Sequence, residues 1–219
     1  MDHSIWLPTF GLPVHTALML YVCVGLIIFS LILSSMLKVV PGKCQVVVEL
    51  MLDGLKALGL ETMGPKGAIF IPACLTFFVF ILISNALGMI PGLLPPTAVL
   101  NTTVGMALLV FITTHVVGFK AHGFSYYKHF IGPIKLIAPF MFVLELFGHI
   151  VRPVSLSFRL FGNMFGHEQL IMVLLMLMPF MAPMLIFSTV LGVLSVVLQA
   201  FIFTLLTMAY IGGALEEAH

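Results

Sequence analysis

After Glu168 the chain runs for nearly fifty residues, to Glu216, without an aspartate, glutamate, lysine or arginine. An uncharged run of that length is written for lipid, since about 20 apolar residues already cross a hydrocarbon core of about 30 Å. Immediately before it stands RPVSLSFRLFGNMFGHE, Arg152 to Glu168, with two arginines, an asparagine, a histidine and a glutamate. An ionisable group at membrane depth costs about 2.5–3.5 kcal/mol on insertion scales, so it persists where it has a partner or a task. A snorkelling arginine needs a helix end within reach. Apolar sequence flanks Arg159 on both sides, and a buried functional arginine is the better reading.

Composition agrees with this class. Hydrophobic residues make up 61% and charged residues 8% of 219, with a mean hydropathy of +1.23, against about a quarter charged in soluble domains. The chain is therefore read as an all-α polytopic membrane protein of a single domain. A net charge of +1 points to no nucleic-acid partner. Cys23, Cys44 and Cys74 lack metal-ligand spacing and read as small apolar fillers. The first residues lack a basic stretch and a cleavage site, so no signal peptide is expected.

Five spans and one surface helix account for the pattern. Residues 14–37 form a first uncharged span, with Trp6 as an interfacial anchor before it and Lys38, Pro41 and Lys43 after it. In 44–63, Glu49, Asp53 and Lys56 follow at spacings of four and three, as on an amphipathic helix lying at the membrane surface, with Gly64-Pro65 closing it. Spans at 67–90 and 97–118 follow, separated by Pro91, Gly92, Pro95 and Pro96, with Asn85 and Asn101 expected to cap helices. Lysines concentrate in 38–66 and 119–135 and are absent from the N-terminus and the 91–96 turn. That places the N-terminus outside and the C-terminus in the cytoplasm.

The last two elements, 136–178 and 183–215, are too long to stand upright. A helix over 183–215 measures about 50 Å, so it must tilt by about 50°, beyond the usual range. They read as a strongly tilted hairpin that turns at Pro179 and Pro183 and leans along something broad. On an ideal helix Glu145, Arg152 and Arg159 share a face, with Ser155 and Asn163 beside them. Glu168 falls nearly opposite Arg159 and serves a different neighbour. On the last helix Ser188, Gly192, Ser195, Gln199 and Tyr210 lie within about 40° of one line. Folding the hairpin about residue 181 sets Asn163 level with Gln199 and His167 level with Ser195. The seam reads either as interhelical packing or as a wet ion path, which Arg159, Glu145, His167 and Glu168 favour. His149 is balanced between packing and path lining, whereas His3, His15, His115, His122 and His129 read as interfacial. No metal site, cofactor site or nucleophile–base constellation is legible.

At these residues a family resemblance emerges. SLSFRLFGNMFGHE, then LQAFIFTLLTMAYI and a short acidic tail, resembles the a subunit of F-type ATP synthases over 145–219. The earlier spans agree less distinctively, NALGMIPG included. The resemblance implies a bacterial inner-membrane stator subunit beside a ring of c subunits and the peripheral-stalk b subunits. It implies no catalysis on ATP by this chain and no small-molecule substrate beyond H+, or Na+. Arg159 matches the arginine that faces the ring carboxylate and separates two half-channels. Asn163, His167, Glu168 and Gln199 match the outer half-channel, and Glu145 and Ser155 the cytoplasmic one. Some members carry Gly and His where this chain has His167 and Gly192. The other functional class weighed is a secondary transporter or stand-alone channel, which would need a pocket among its own helices, usually with internal repeats.

Overall fold

In a computed structural model, which describes residues 13–36, 42–90, 95–123, 138–176 and 182–216, the chain is all helical. The helices are α1, Val14–Met36; α2, Lys43–Gly67; α3, Ile71–Leu87; α4, Leu100–His122; α5, Ala138–Met176; and α6, Ala182–Leu215. Single 3₁₀ turns stand at Ala68–Phe70 and Pro96–Ala98. Four segments are long and apolar enough to cross a membrane, Gln45–Leu87, Leu100–His122, Phe140–Leu174 and Ile186–Leu215, with a shorter apolar helix over Thr16–Ile32. This is an all-α polytopic membrane fold. Expectations placed on Trp6, His3, Lys38, Pro91, Gly92, Lys128, His129, Lys135 and Pro179 lie outside the described residues, as do the side chains of His15, Cys44 and Pro183.

The hub of the bundle is α6, which packs on α2, α3, α4 and α5. It has no Asp, Glu, Lys or Arg, so every face of it suits lipid or protein, and tertiary packing selects which is covered. Ala200, Phe203, Leu156, Leu160, Ile81 and Val110 form one core cluster across α3–α6. Against α2 the approach is close enough to need glycine: a Cβ on Gly212 would stand 2.6 Å from the Thr62 carbonyl oxygen.

Towards its end α2 is kinked at Gly64, and a 3₁₀ turn over Ala68–Phe70 leads on to α3. Gly64 takes φ 66, a conformation that L side chains rarely adopt, and Pro65 follows it inside the helix. Leu55, Gly59, Met63 and Gly67 are buried at four-residue intervals, while Glu49, Asp53, Lys56 and Glu61 are exposed. One stripe of α2 is thus packed against the bundle and its charges are left outside.

Two local expectations are corrected. Asn85 and Asn101 do not cap helices: Asn85 lies inside α3, and the residue before α4 is Val99, with no side-chain cap. In addition, α4 runs on to His122, where Gly123 at φ 57 ends it. Pro153 leaves α5 a single helix of 39 residues, about 58 Å long.

Candidate functional site

Arg159 sits mid-way along α5 and is exposed; it is not buried within the chain, as the sequence pattern suggests. The apolar face of α5 explains why: Leu160 and Met164 are among its buried positions, and at 100° per residue they lie about 100° and 140° round the helix from Arg159. Around it the outer surface is low. Ser155 is exposed, and a Cβ at Gly148, Gly162 or Gly166 would have open space before it. These positions fall within about 60° of Arg159 on the helix wheel, on the side away from Leu160. A lane of small residues with one cation at its centre therefore faces away from the bundle, flanked by exposed Phe158 and Val154.

On one side of Arg159 the seam between α5 and α6 holds the first polar cluster. Ser195 Oγ donates to Asn163 Oδ1 over 2.8 Å. Gly192 is pressed against His167, so that a Cβ on it would overlap the imidazole, and Met89 Sδ would lie 3.1 Å away. The hairpin therefore folds about residue 179 rather than 181. The expected pairings of Asn163 with Gln199 and of His167 with Ser195 are off by about one turn. In the corrected register Gln199, half-buried, stands level with Arg159. Glu168 follows His167 and is also half-buried.

The 95–98 turn and the end of α3 join this cluster. Thr97 Oγ1 donates to Asn85 Oδ1 over 2.6 Å, with both residues buried. Ala98 packs with Met164 and Val196. Asn85 Nδ2, Ser84 Oγ, Asn163 Nδ2, His167 Nε2 and Ser188 Oγ are buried atoms without a hydrogen-bond partner among the described residues. Buried polar atoms are nearly always satisfied, by protein or by water, and their concentration at one end of the bundle marks a place that water suits.

Beyond Arg159 in the other direction lies a second cluster. His149 Nε2 is 3.4 Å from Glu145 Oε1, and the Arg152 guanidinium carbon sits 5.4 Å from the Tyr210 ring centroid, within cation–π range. Arg152, His149 and Tyr210 line a shallow cleft together with His115, Thr114 and Phe111 of α4. His115 meets His149 edge to face, ring centroids 5.1 Å apart. Sequence pattern sets His115 at an interface because the span it defines ends at 118. With α4 extended to His122, that ring lies two turns inside the helix. His149 lines the cleft, and Ser155 lies outside it on the exposed lane.

Among the described residues, buried Ser157 and Thr204 between the two clusters each donate to a backbone carbonyl of their own helix. Leu156, Leu160, Ala200 and Phe203 fill the interval as one apolar cluster. Of the residues expected from sequence, the structure joins Asn163 to Ser195, His167 to Gly192 and Glu145 to His149. Arg159 and Ser155 stand apart, facing outward. Asn85, Thr97, Ser84 and His115 are additions that sequence pattern does not single out.

The fold and this geometry define a polytopic membrane protein whose longest helices carry two separate polar clusters and turn a cation away from their own bundle. The chain belongs to the ATP synthase A chain family, which matches residues 16–212. It is 50% identical over 198 residues to the ATP synthase subunit a of Trichlorobacter lovleyi, covering 90% of this chain and 85% of that one. Against the subunit a of Geobacter sulfurreducens the identity is again 50% over 198 residues, with 90% and 86% covered. The ATP synthase subunit a 2 of Syntrophotalea carbinolica is 44% identical over 205 residues, covering 94% and 86%.

Proposed function

We propose that this chain is the proton-translocating stator subunit of a rotary ATP synthase in a bacterial inner membrane, and that it serves a ring of c subunits through two half-channels separated by Arg159. The observation that carries the reading is Arg159 itself, exposed on a lane of small residues while Leu156, Leu160, Ala200 and Phe203 pack the interval between the two polar clusters. On this reading the step past Arg159 is made on a partner. Small residues let a neighbouring helix come close, and an ionised carboxylate there is favoured by the opposite charge. Arginine keeps its proton, so it cannot pass one along.

The outer half-channel comprises Asn163, His167, Glu168, Gln199, Ser188 and Ser195, with Asn85 and Thr97 added, and water supplies the missing partners of the orphaned atoms. The cytoplasmic half-channel comprises Glu145 and His149, with Ser155 on the lane and Tyr210 at its wall. Lysine placement sets the N-terminus outside and the C-terminus in the cytoplasm, where peripheral-stalk b subunits join the complex. A proton enters on the outer side, neutralises a ring carboxylate, travels with the ring through lipid and leaves on the cytoplasmic side. The chain itself does no chemistry on ATP. A transporter would need a substrate pocket near the bilayer midplane. Leu160, Ala200 and Phe203 pack as one cluster at the level of Arg159, with Gln199 half-buried beside them.

Arg159→Ala tests this. In assembled complex the variant abolishes proton-driven ATP synthesis and raises passive proton leak. Normal synthesis by an assembled Arg159→Ala complex would remove Arg159 from the mechanism.

A further inference from the structure

The second cluster holds more titratable groups than the proposed path uses. His115 comes from α4, a helix to which the half-channel assignment gave no role. Its ring lies 4.1 Å from that of Phe111 between centroids, tilted at 44°, and meets His149 edge to face at 69°. His149 in turn reaches Glu145 over 3.4 Å, so three ionisable side chains from two helices follow one another, the two histidines in the cleft and Glu145 beside it.

We propose that His115 and His149 form a proton-binding pair in the cytoplasmic half-channel, with His115 the group that exchanges its proton with cytoplasmic water. This rests on the proton-path reading and adds to it a site on α4. The hydrogen-bond geometry of His115 assigns its nitrogens. Nδ1 lies 2.9 Å from the Phe111 carbonyl oxygen, and a carbonyl only accepts, so Nδ1 carries the hydrogen and Nε2 is the basic nitrogen. Protonation at Nε2 leaves the Nδ1 bond in place. The ring therefore gains and loses a proton without turning, which suits a group that must cycle once for each ion.

The groups facing the pair are Glu145 and Arg152 from α5, Tyr210 from α6 and Thr114 from α4. Arg152 brings a fixed positive charge and is held against the Tyr210 ring; Glu145 brings a negative one beside His149. In the synthesis direction one proton leaves the ring carboxylate, passes by way of Glu145 and His149, converts His115 to an imidazolium, and is released from Nε2 to water. One proton enters, one leaves, and no other bond changes. Imidazole is the side chain suited to this task, since its unperturbed proton exchange falls near the working pH of the cytoplasm.

The test uses inverted membrane vesicles carrying the complete complex, in which ATP-driven pumping draws protons from the cytoplasmic face. His115→Asn keeps a side-chain donor for the Phe111 carbonyl and removes the titratable nitrogen; His115→Leu removes both. His115→Asn is expected to lower the initial pumping rate, per assembled complex, by about tenfold. It is also expected to flatten the dependence of that rate on external pH between about pH 5 and 8. A wild-type rate, or a lowered rate with an unchanged pH profile, overturns the proposal and makes His115 a packing residue. Failure of only His115→Leu to assemble, with His115→Asn indistinguishable from wild type, overturns it equally. Arg159→Ala in the same vesicles separates the two readings. If it stops pumping while His115→Asn changes nothing, only the histidine pair fails; if it pumps normally, the proton path itself fails.

Discussion

The contact between His167 and Gly192 gives the sharpest test of the hairpin seam. A methyl group placed on Gly192 would overlap Cε1 and Nε2 of His167 and come within 3.1 Å of Met89 Sδ. Overpacking of this kind costs about 1–3 kcal/mol, so Gly192→Ala alone should destabilise the assembled subunit by about that much. In a His167→Gly background the ring is gone and the same alanine should be tolerated. The two substitutions should therefore show a coupling energy of about 1–3 kcal/mol, in the range expected of side chains in direct contact. The exchange His167→Gly with Gly192→His goes further, because it returns one imidazole to the same space from the opposite helix. His167→Gly alone impairs ATP-driven proton pumping, Gly192→His alone crowds the seam, and the pair recovers part of the loss. Thermal stability of the purified complex reads the packing, and pumping normalised to assembled complex reads the function. Wild-type stability of Gly192→Ala, or strictly additive losses in the double variant, would refute the shared space and the register derived from it.

On the proposed path Glu168, half-buried beside His167, works through an exchangeable proton, so Glu168→Gln is expected to slow transport more than Glu168→Asp; a Gln variant equal to wild type over a pH series makes the residue structural. The orientation is checked with single cysteines at Ile90 and Lys120, both exposed, in a background lacking Cys23, Cys44 and Cys74. A membrane-impermeant maleimide labels them from opposite faces, and labelling of both from one face overturns the lysine argument.

What is legible in the sequence follows from what its patterns report. Uncharged runs longer than a bilayer's thickness give spans directly, and the polar positions of α5 and α6 stand out because few other residues in those helices are polar. Register is a different matter. The level at which Asn163 meets α6 depends on how many residues the turn uses, which prolines in the sequence do not fix, so the pairing expected from sequence is about one turn off. His115 is misplaced for a related reason: a span end set at 118 instead of His122 moves a ring from the interior to the interface. Asn85 looks like a cap because it precedes a turn, yet Thr97, twelve residues on, takes its carbonyl oxygen. Contacts made across a turn leave no periodic trace in a helix.

Arg159 finally constrains what its partner must be. Left against lipid, a charge at the centre of a span costs about 2.5–3.5 kcal/mol on insertion scales, and no hydrogen bond or ion pair ties it down among the described residues. A carboxylate on a helix seated in the lane of Gly148, Ser155, Gly162 and Gly166 offsets that cost. A permanent ion pair there would, however, hold the partner still. On the proposed reading the partner moves, so each carboxylate has to leave the lane neutral and the next has to arrive and ionise. That requires a proton source and a proton sink on either side of the arginine with no polar route between them. Asn163 with His167, and Glu145 with His149, are two such clusters on one helix, and the apolar packing of Leu156 and Leu160 keeps them apart. A polar bridge across that packing would let protons bypass the partner. Leu160→Asp is therefore the wrong substitution for this fold on two counts: it buries an unpaired carboxylate, and it opens the short circuit that Arg159 closes.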